Sequence, residues 1–198
     1  MFTSRAEYRT LLRGDNADIR LTPLAHTLGT VDDAALERVE AKVRNAQELM
    51  DFCCRLSVSP EQAAPLLEAR GSSLLSQGCK ADKILSRPNI SMDDIRASFP
   101  AVEDFIRENQ VDPDAVQQAE IGIKYQGYIE KERENVRKLQ RLENVAIPQD
   151  FDFMRIKSIS IEARQKLHAI RPKNIAQASR ISGVSPADIS VLLIFLGR

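Results

Sequence analysis

The chain has 198 residues, a formal net charge of zero, 43% hydrophobic and 28% charged residues, and no tryptophan. That is the make-up of a globular chain long enough for one domain or two small ones. No apolar run approaches eighteen residues and no signal-peptide pattern is present, which excludes a membrane-spanning helix and points to the cytoplasm. Cys53, Cys54 and Cys79 have no metal-ligand spacing and read as reduced thiols.

No long alternating Val/Ile/Thr run occurs, so the expected fold is all-α: about nine helices, with one long helix leading into a small terminal bundle. Ser4 and Glu7 are spaced as a capping box. The helix they open is expected to reach Arg13 and stop at Gly14, which would set Arg5, Arg9 and Arg13 in one stripe. Thr22-Pro23 reads as the start of a short helix closed by Gly29. Asp32 caps a firm amphipathic helix to about residue 56, its apolar face running through Leu36, Val39, Val43, Ala46, Leu49, Met50 and Cys53. Ser59-Pro60 opens the next helix, with Gly71 as its stop. The stretch 71–88 is weakly patterned and is expected to hold one short helix and loops. Ser91 with Asp94 opens a further short helix, and Pro100 another.

Asp112-Pro113 starts the longest element, expected to run to about Glu143, roughly 45 Å. Tyr125, Tyr128, Ile129, Glu132, Val136, Leu139 and Leu142 form its expected inner stripe, with Lys124, Lys131, Arg133, Arg137, Lys138 and Arg141 opposite. Gly127 costs about 1 kcal/mol in a helix interior, and the usual reason is a closely packed backbone. Pro148 breaks the helix, and Phe151, Phe153, Met154 and Ile156 follow as an apolar linker into a core. Helices over 160–170, 174–181 and from Ser185 onward complete the chain, and the last is apolar enough to expect it buried. The units expected are residues 1–112 and 113–198.

Three separated blocks carry a resemblance to a known family. They are Ser4-Arg-Ala-Glu-Tyr-Arg9 with Leu11-Leu-Arg13, Asp15-Asn-Ala-Asp18 and Arg20-Leu-Thr22; then Lys124-Tyr125-Gln-Gly127-Tyr128-Ile129; then Ile147-Pro148 through Arg171-Pro172 to Gln177-Ala-Ser179-Arg180 and Gly183-Val-Ser-Pro186-Ala187. Together they resemble the C-terminal helical region of the glucose-inhibited division protein A (GidA/MnmG) family. Gln126 stands where that family usually has Glu, Ser182 where it often has Pro, Ser185 where it often has Thr, and Thr10 where it usually has Leu.

The resemblance implies an FAD-dependent enzyme that installs a carboxymethylaminomethyl or aminomethyl group at C5 of the wobble uridine of tRNA. It implies NADH and a folate one-carbon donor in addition, a tRNA-modification GTPase of the MnmE family as partner, and a homodimer of the full-length protein. No GxGxxG occurs, and Met1 falls inside the family pattern, so the expectation is a C-terminal, non-catalytic part of a longer protein that holds no cofactor itself.

The candidate tRNA-binding residues are Arg5, Arg9, Arg13, Arg20 and Lys124, because a guanidinium fork suits neighbouring phosphate oxygens. Tyr125, Tyr128, Arg171, Lys173 and Arg180 are candidates for a partner or phosphate surface. From Arg155 onward eight basic residues face two acidic ones, whereas residues 60–123 carry eleven acidic against six basic. Two functions compete: a tRNA-binding and docking domain, or a docking module for the GTPase with no direct tRNA contact. No residue is assigned a catalytic or metal-binding part, since His26 and His168 stand alone and the Asp pairs at 32–33 and 93–94 sit at helix starts.

Overall fold

The computed structural model describes residues 8–197, other than the side chains of Leu139 and Glu143. The expected all-α class holds: ten α-helices lie among the described residues, with one two-stranded ribbon. The helices are α1 (Ala17–Thr27), α2 (Asp33–Arg55), α3 (Pro60–Ala69), α4 (Ala81–Leu85), α5 (Met92–Ser98), α6 (Pro100–Glu108), α7 (Pro113–Glu143), α8 (Ile161–Ile170), α9 (Ile175–Ser179) and α10 (Pro186–Phe195). Strands β1 (Ser57–Val58) and β2 (Cys79–Lys80) pair antiparallel, Ser57 opposite Lys80. The chain divides into two compact units, residues up to Glu130 and residues from Lys131 onward, so the division falls inside α7.

Most helices begin where a side chain can satisfy the free amides of the first turn. Asp32 accepts from the Ala35 amide, and Asp112 from that of Ala115. Ser59 with Gln62, Ser91 with Asp94 and Ser185 with Asp188 form complete capping boxes. Ser160 and Asn174 cap α8 and α9. Gly29 and Gly71 take positive φ, which ends α1 and α3 at little steric cost.

The core of the first unit gathers Leu49 and Cys53 of α2, Leu67 of α3, Ile84 and Leu85 of α4, Ile95 of α5, Val102 of α6 and Ala119 of α7. Each large aliphatic side chain buried there contributes about 1.5–3 kcal/mol. Phe52 and Phe105 stack beside it, ring centres 4.5 Å apart. Lys42 of α2 donates to Asp18 of α1 at 2.9 Å, tying those two helices. The second unit closes on Phe153, Ile156, Leu167, Ile175 and Leu192. Within it Asp188, 6% exposed, accepts from the Ser160 amide with one oxygen and from the amide and hydroxyl of Ser185 with the other. The Ser160 amide, ahead of the opposing effect of burial, holds that carboxyl below its ordinary range.

The structure corrects several expectations. Residues 8–12 form turns and a bend instead of the end of a helix; Tyr8 has φ 56°, and the Leu11 and Leu12 amides both donate to its carbonyl. The Asn16 side chain accepts from the Arg13 amide and donates to the Leu11 carbonyl, offering the backbone an alternative to the helix. Arg9 and Arg13 therefore share no helical stripe, and Arg5, Ser4 and Glu7 lie outside the described residues. The helix expected from Thr22 starts five residues earlier, at Ala17, and holds Pro23 in its interior.

On α7 the buried face lies earlier than expected, at Ala115, Val116, Ala119 and Ile123, and Tyr125 and Tyr128 are exposed. Val43, Met154, Ile194 and Phe195 are exposed too, so the last helix is only partly covered. No helix among the described residues is long and apolar enough to cross a membrane.

Candidate functional site

The first unit carries a hollow of about 480 Å3 lined by Arg9, Thr10, Arg13, Tyr125 and Tyr128. Two stretches more than a hundred residues apart build it. Tyr125 and Tyr128 stand three residues apart on α7, hence on one face. Their rings lie 6.4 Å apart and are tilted by 52°, and they remain 51% and 69% exposed. Gly127 between them has nothing within contact of an added Cβ, so no backbone packs closely there, against the expectation from its sequence position.

Opposite the tyrosines, the turn at residues 8–13 is pinned to α7. The Gln118 amide group donates to the Asp15 carbonyl at 2.8 Å and to the Asp15 carboxylate at 3.0 Å. That carboxylate is the fixed partner of Arg13. Its Nε lies 3.0 Å from Oδ1 and its Nη2 3.1 Å from Oδ2, while Nη1 donates to the Thr10 carbonyl at 2.7 Å. Hydrogen bonding from Arg13, first among the causes, holds the Asp15 carboxyl below its ordinary value of 3.8. Arg13 is thus a wall of the hollow whose fork is already occupied. Arg9 is exposed and has no ion pair or side-chain hydrogen bond among the described residues, which leaves its guanidinium available. A hollow with one available guanidinium and two exposed phenol rings suits a phosphate joined to an aromatic base.

The other candidates are placed differently. Arg20 sits on α1, exposed, with Nε on the Asn16 side chain at 2.9 Å and Nη2 on the Arg13 carbonyl at 3.3 Å. Lys124 pairs with Glu120 at 3.0 Å, and Glu120 also accepts from the Met92 amide. In the second unit Arg171 and Lys173 line a hollow of about 330 Å3 with Ile147, Pro148, Gln149, Phe153 and Pro172. Arg171 takes φ 53° and its guanidinium donates to the carbonyls of His168, Gln149 and Phe151, so it serves the chain's own turns. Arg180 is exposed after α9 and does not line that hollow.

The sequence had separated the arginines from the tyrosines; the fold brings Arg9, Arg13, Tyr125 and Tyr128 together. It had also passed over Thr10 as a lining residue, and Asp15 and Gln118 as the pair that fixes the turn. A contact between residues 15 and 118 leaves no local signal to read.

The comparisons with known proteins agree with this architecture. Residues 33–133 match the tRNA modifying enzyme MnmG/GidA C-terminal helical domain, and residues 135–198 match the MnmG/GidA C-terminal helical bundle. The chain belongs to the MnmG/GidA family. A tRNA uridine 5-carboxymethylaminomethyl modification enzyme MnmG from Flavobacterium psychrophilum is 54% identical over all 198 residues, and the chain spans 32% of it. The enzyme of that name from Porphyromonas gingivalis is 46% identical, again with all of this chain and 32% of the relative covered. Among solved structures, Aquifex aeolicus GidA in its form I crystal is 30% identical. That alignment covers 99% of this chain and 28% of the other, with a TM-score of 0.59. The chain is thus about a third as long as the curated relatives it matches and corresponds to the C-terminal helical region of MnmG.

A dinucleotide such as FAD needs open amides at a helix start reached by a Gly-rich turn. Among the described residues the starts of α2, α3, α5, α7, α8, α9 and α10 are taken by side-chain caps. The starts of α1, α4 and α6 carry no side-chain cap, and no GxGxxG turn leads into any of them.

Proposed function

We propose that this chain is a tRNA-binding and partner-docking domain, non-catalytic on its own, of an enzyme that modifies C5 of the wobble uridine, with flavin, nicotinamide and one-carbon chemistry supplied elsewhere in the protein. The observation that carries the reading is the hollow where exposed Arg9 faces Tyr125 and Tyr128. The relatives are tRNA uridine modification enzymes, which supplies the nucleic acid. Arg9 holds a phosphate, and a tyrosine ring supports an unpaired base, an interaction that contributes about 1–3 kcal/mol per base. Arg13, Asp15 and Gln118 keep the turn in place, and Arg20 fixes the end of the same loop. Phosphate contact sets register, and the chemistry happens on a base held beyond this domain.

The test is a fluorescence-anisotropy titration of a labelled wobble-uridine tRNA with this chain at low and moderate salt. Saturable binding with a steep salt slope is expected. Arg9→Ala should weaken binding at all salts and flatten the slope by about one. Tyr125→Ala with Tyr128→Ala should raise Kd at least about fivefold with the slope unchanged. Absence of tRNA binding by the folded, helical chain would overturn the reading in favour of a domain that docks only a protein partner such as the GTPase.

A further inference from the structure

The part of α7 that belongs to the second unit, residues 131–143, has a surface that its own fold does not explain. Lys131, Arg133, Arg137, Lys138 and Arg141 are all exposed, and none makes an ion pair or side-chain hydrogen bond among the described residues. The acidic residues in that stretch are Glu132, Glu134 and Glu143. Steps of four place Arg133, Arg137 and Arg141 in one row, and the step of seven from Lys131 to Lys138 sets a second row beside it. Glu134 stands between the rows and Glu132 is half-buried, so among the described side chains of the stretch five exposed cations meet one exposed carboxylate.

Like charges four residues apart destabilise a helix, and a helix that is polar nearly all round is normally sustained by ion pairs along it. Neither cost is met by an ion pair among the described residues. Among the described side chains of the stretch, Val136 and Leu142 are apolar and half-buried. The three arginines span about 12 Å of axis, and double-stranded nucleic acid carries a phosphate about every 1.7 Å, counting both strands. A rail of that length therefore faces several phosphates at once. No aromatic residue lies in the stretch, so it cannot stack a base.

We infer that residues 131–141 of α7 form a phosphate rail for the ribose-phosphate backbone of a double-stranded stem of tRNA, separate from the Arg9 hollow and independent of base sequence. The rail rests on the reading that RNA is the ligand, and adds the part of the RNA it holds.

The test uses the whole chain with three probes: a labelled wobble-uridine tRNA, a short blunt RNA duplex of unrelated sequence, and polyglutamate. The variants are R133Q/R137Q/R141Q and R133K/R137K/R141K, each checked for helicity by circular dichroism. The glutamine triple should lose affinity for tRNA and duplex alike by about tenfold or more at low salt, and its slope of log K against log salt should flatten by about two to three. The lysine triple should keep the slope. An unchanged slope in the glutamine triple overturns the rail, and if Arg9→Ala still weakens tRNA binding, the RNA reading itself stands. A loss confined to tRNA with duplex binding intact also overturns it, because phosphate contacts carry no sequence information. Failure of the unaltered chain to bind either RNA, or tighter binding of polyglutamate than of RNA, overturns rail and RNA reading together.

Discussion

Arg13→Ala separates a structural arginine from a ligand-binding one. The guanidinium makes three bonds to the Asp15 carboxylate, two of them sharing Nε, and one to the Thr10 carbonyl, and both charged side chains are 23% exposed. A hydrogen bond to a charged group contributes about 1.5–3 kcal/mol, and partial exposure screens the ion pair, so loss of the set should cost about 2 kcal/mol. That corresponds to roughly a thirtyfold rise in local opening. The assay is hydrogen exchange followed by mass spectrometry on peptides covering residues 10–27, where protection should fall in Arg13→Ala and stay as it is in Arg9→Ala. The loss should also depend on pH. Arg13 holds the folded Asp15 carboxyl below its ordinary 3.8, so this stabilisation is complete above that value and disappears as pH falls through the lowered one. In Arg13→Ala the acid-side loss should shrink, leaving the Gln118 contact and the backbone hydrogen bond to Asp15. Unchanged exchange together with weaker tRNA binding would refute the argument, since it would mean that Arg13 serves the ligand and not the turn.

Other outcomes follow from single positions. Gly183 has φ 90°, and an added Cβ would push into the Glu162–Lys166 ion pair, so Gly183→Ala should cost about 1–2 kcal/mol and lower the thermal midpoint of the second unit by several degrees. Pro23→Ala should stabilise α1, by up to about 3 kcal/mol, because it restores an amide in the interior of that helix; slower exchange in residues 24–27 would report it. Burial pushes the Cys53 thiol up to about 12, whereas Cys54 is exposed with a smaller upward shift, again led by burial. Iodoacetamide at mildly alkaline pH should therefore alkylate Cys54 slowly and Cys53 only after denaturation, and equal rates in the folded chain would contradict the packing.

Local chemistry was legible in the sequence, and long-range chemistry was not. Asp32, Ser59, Ser91, Asp112, Ser160 and Ser185 mark helix starts through bonds that reach three residues, and the structure has each of them in use. Pro23 misled because proline is favoured at a first helical position, whereas here it stands exposed in the interior of α1. The arginine stripe failed on Tyr8 and Asn16, whose turn geometry no residue spacing announces. The β1–β2 pairing joins residues about twenty apart across a weakly patterned stretch and was missed for that reason. On α7, apolar rings at helical spacing read as a core face; the exposure of Tyr125 and Tyr128 became visible only once Ile123 marked the last buried turn. The hollow itself depends on Gln118 meeting Asp15, a contact between segments 103 residues apart.

The single carboxylate of Asp188 answers for the beginnings of two helices. One oxygen faces the Ser160 amide at the entry to α8, and the other completes the box that opens α10. Chain length at this end is therefore not freely adjustable. A chain cut before residue 185 would lose more than a terminal helix, because α8 would be left with an unanswered amide and the Leu192 plug would be gone from the core. The terminal bundle should come apart as one block, and a protease acting on it should give the intact unit or small peptides, with no trimmed but folded remainder between them.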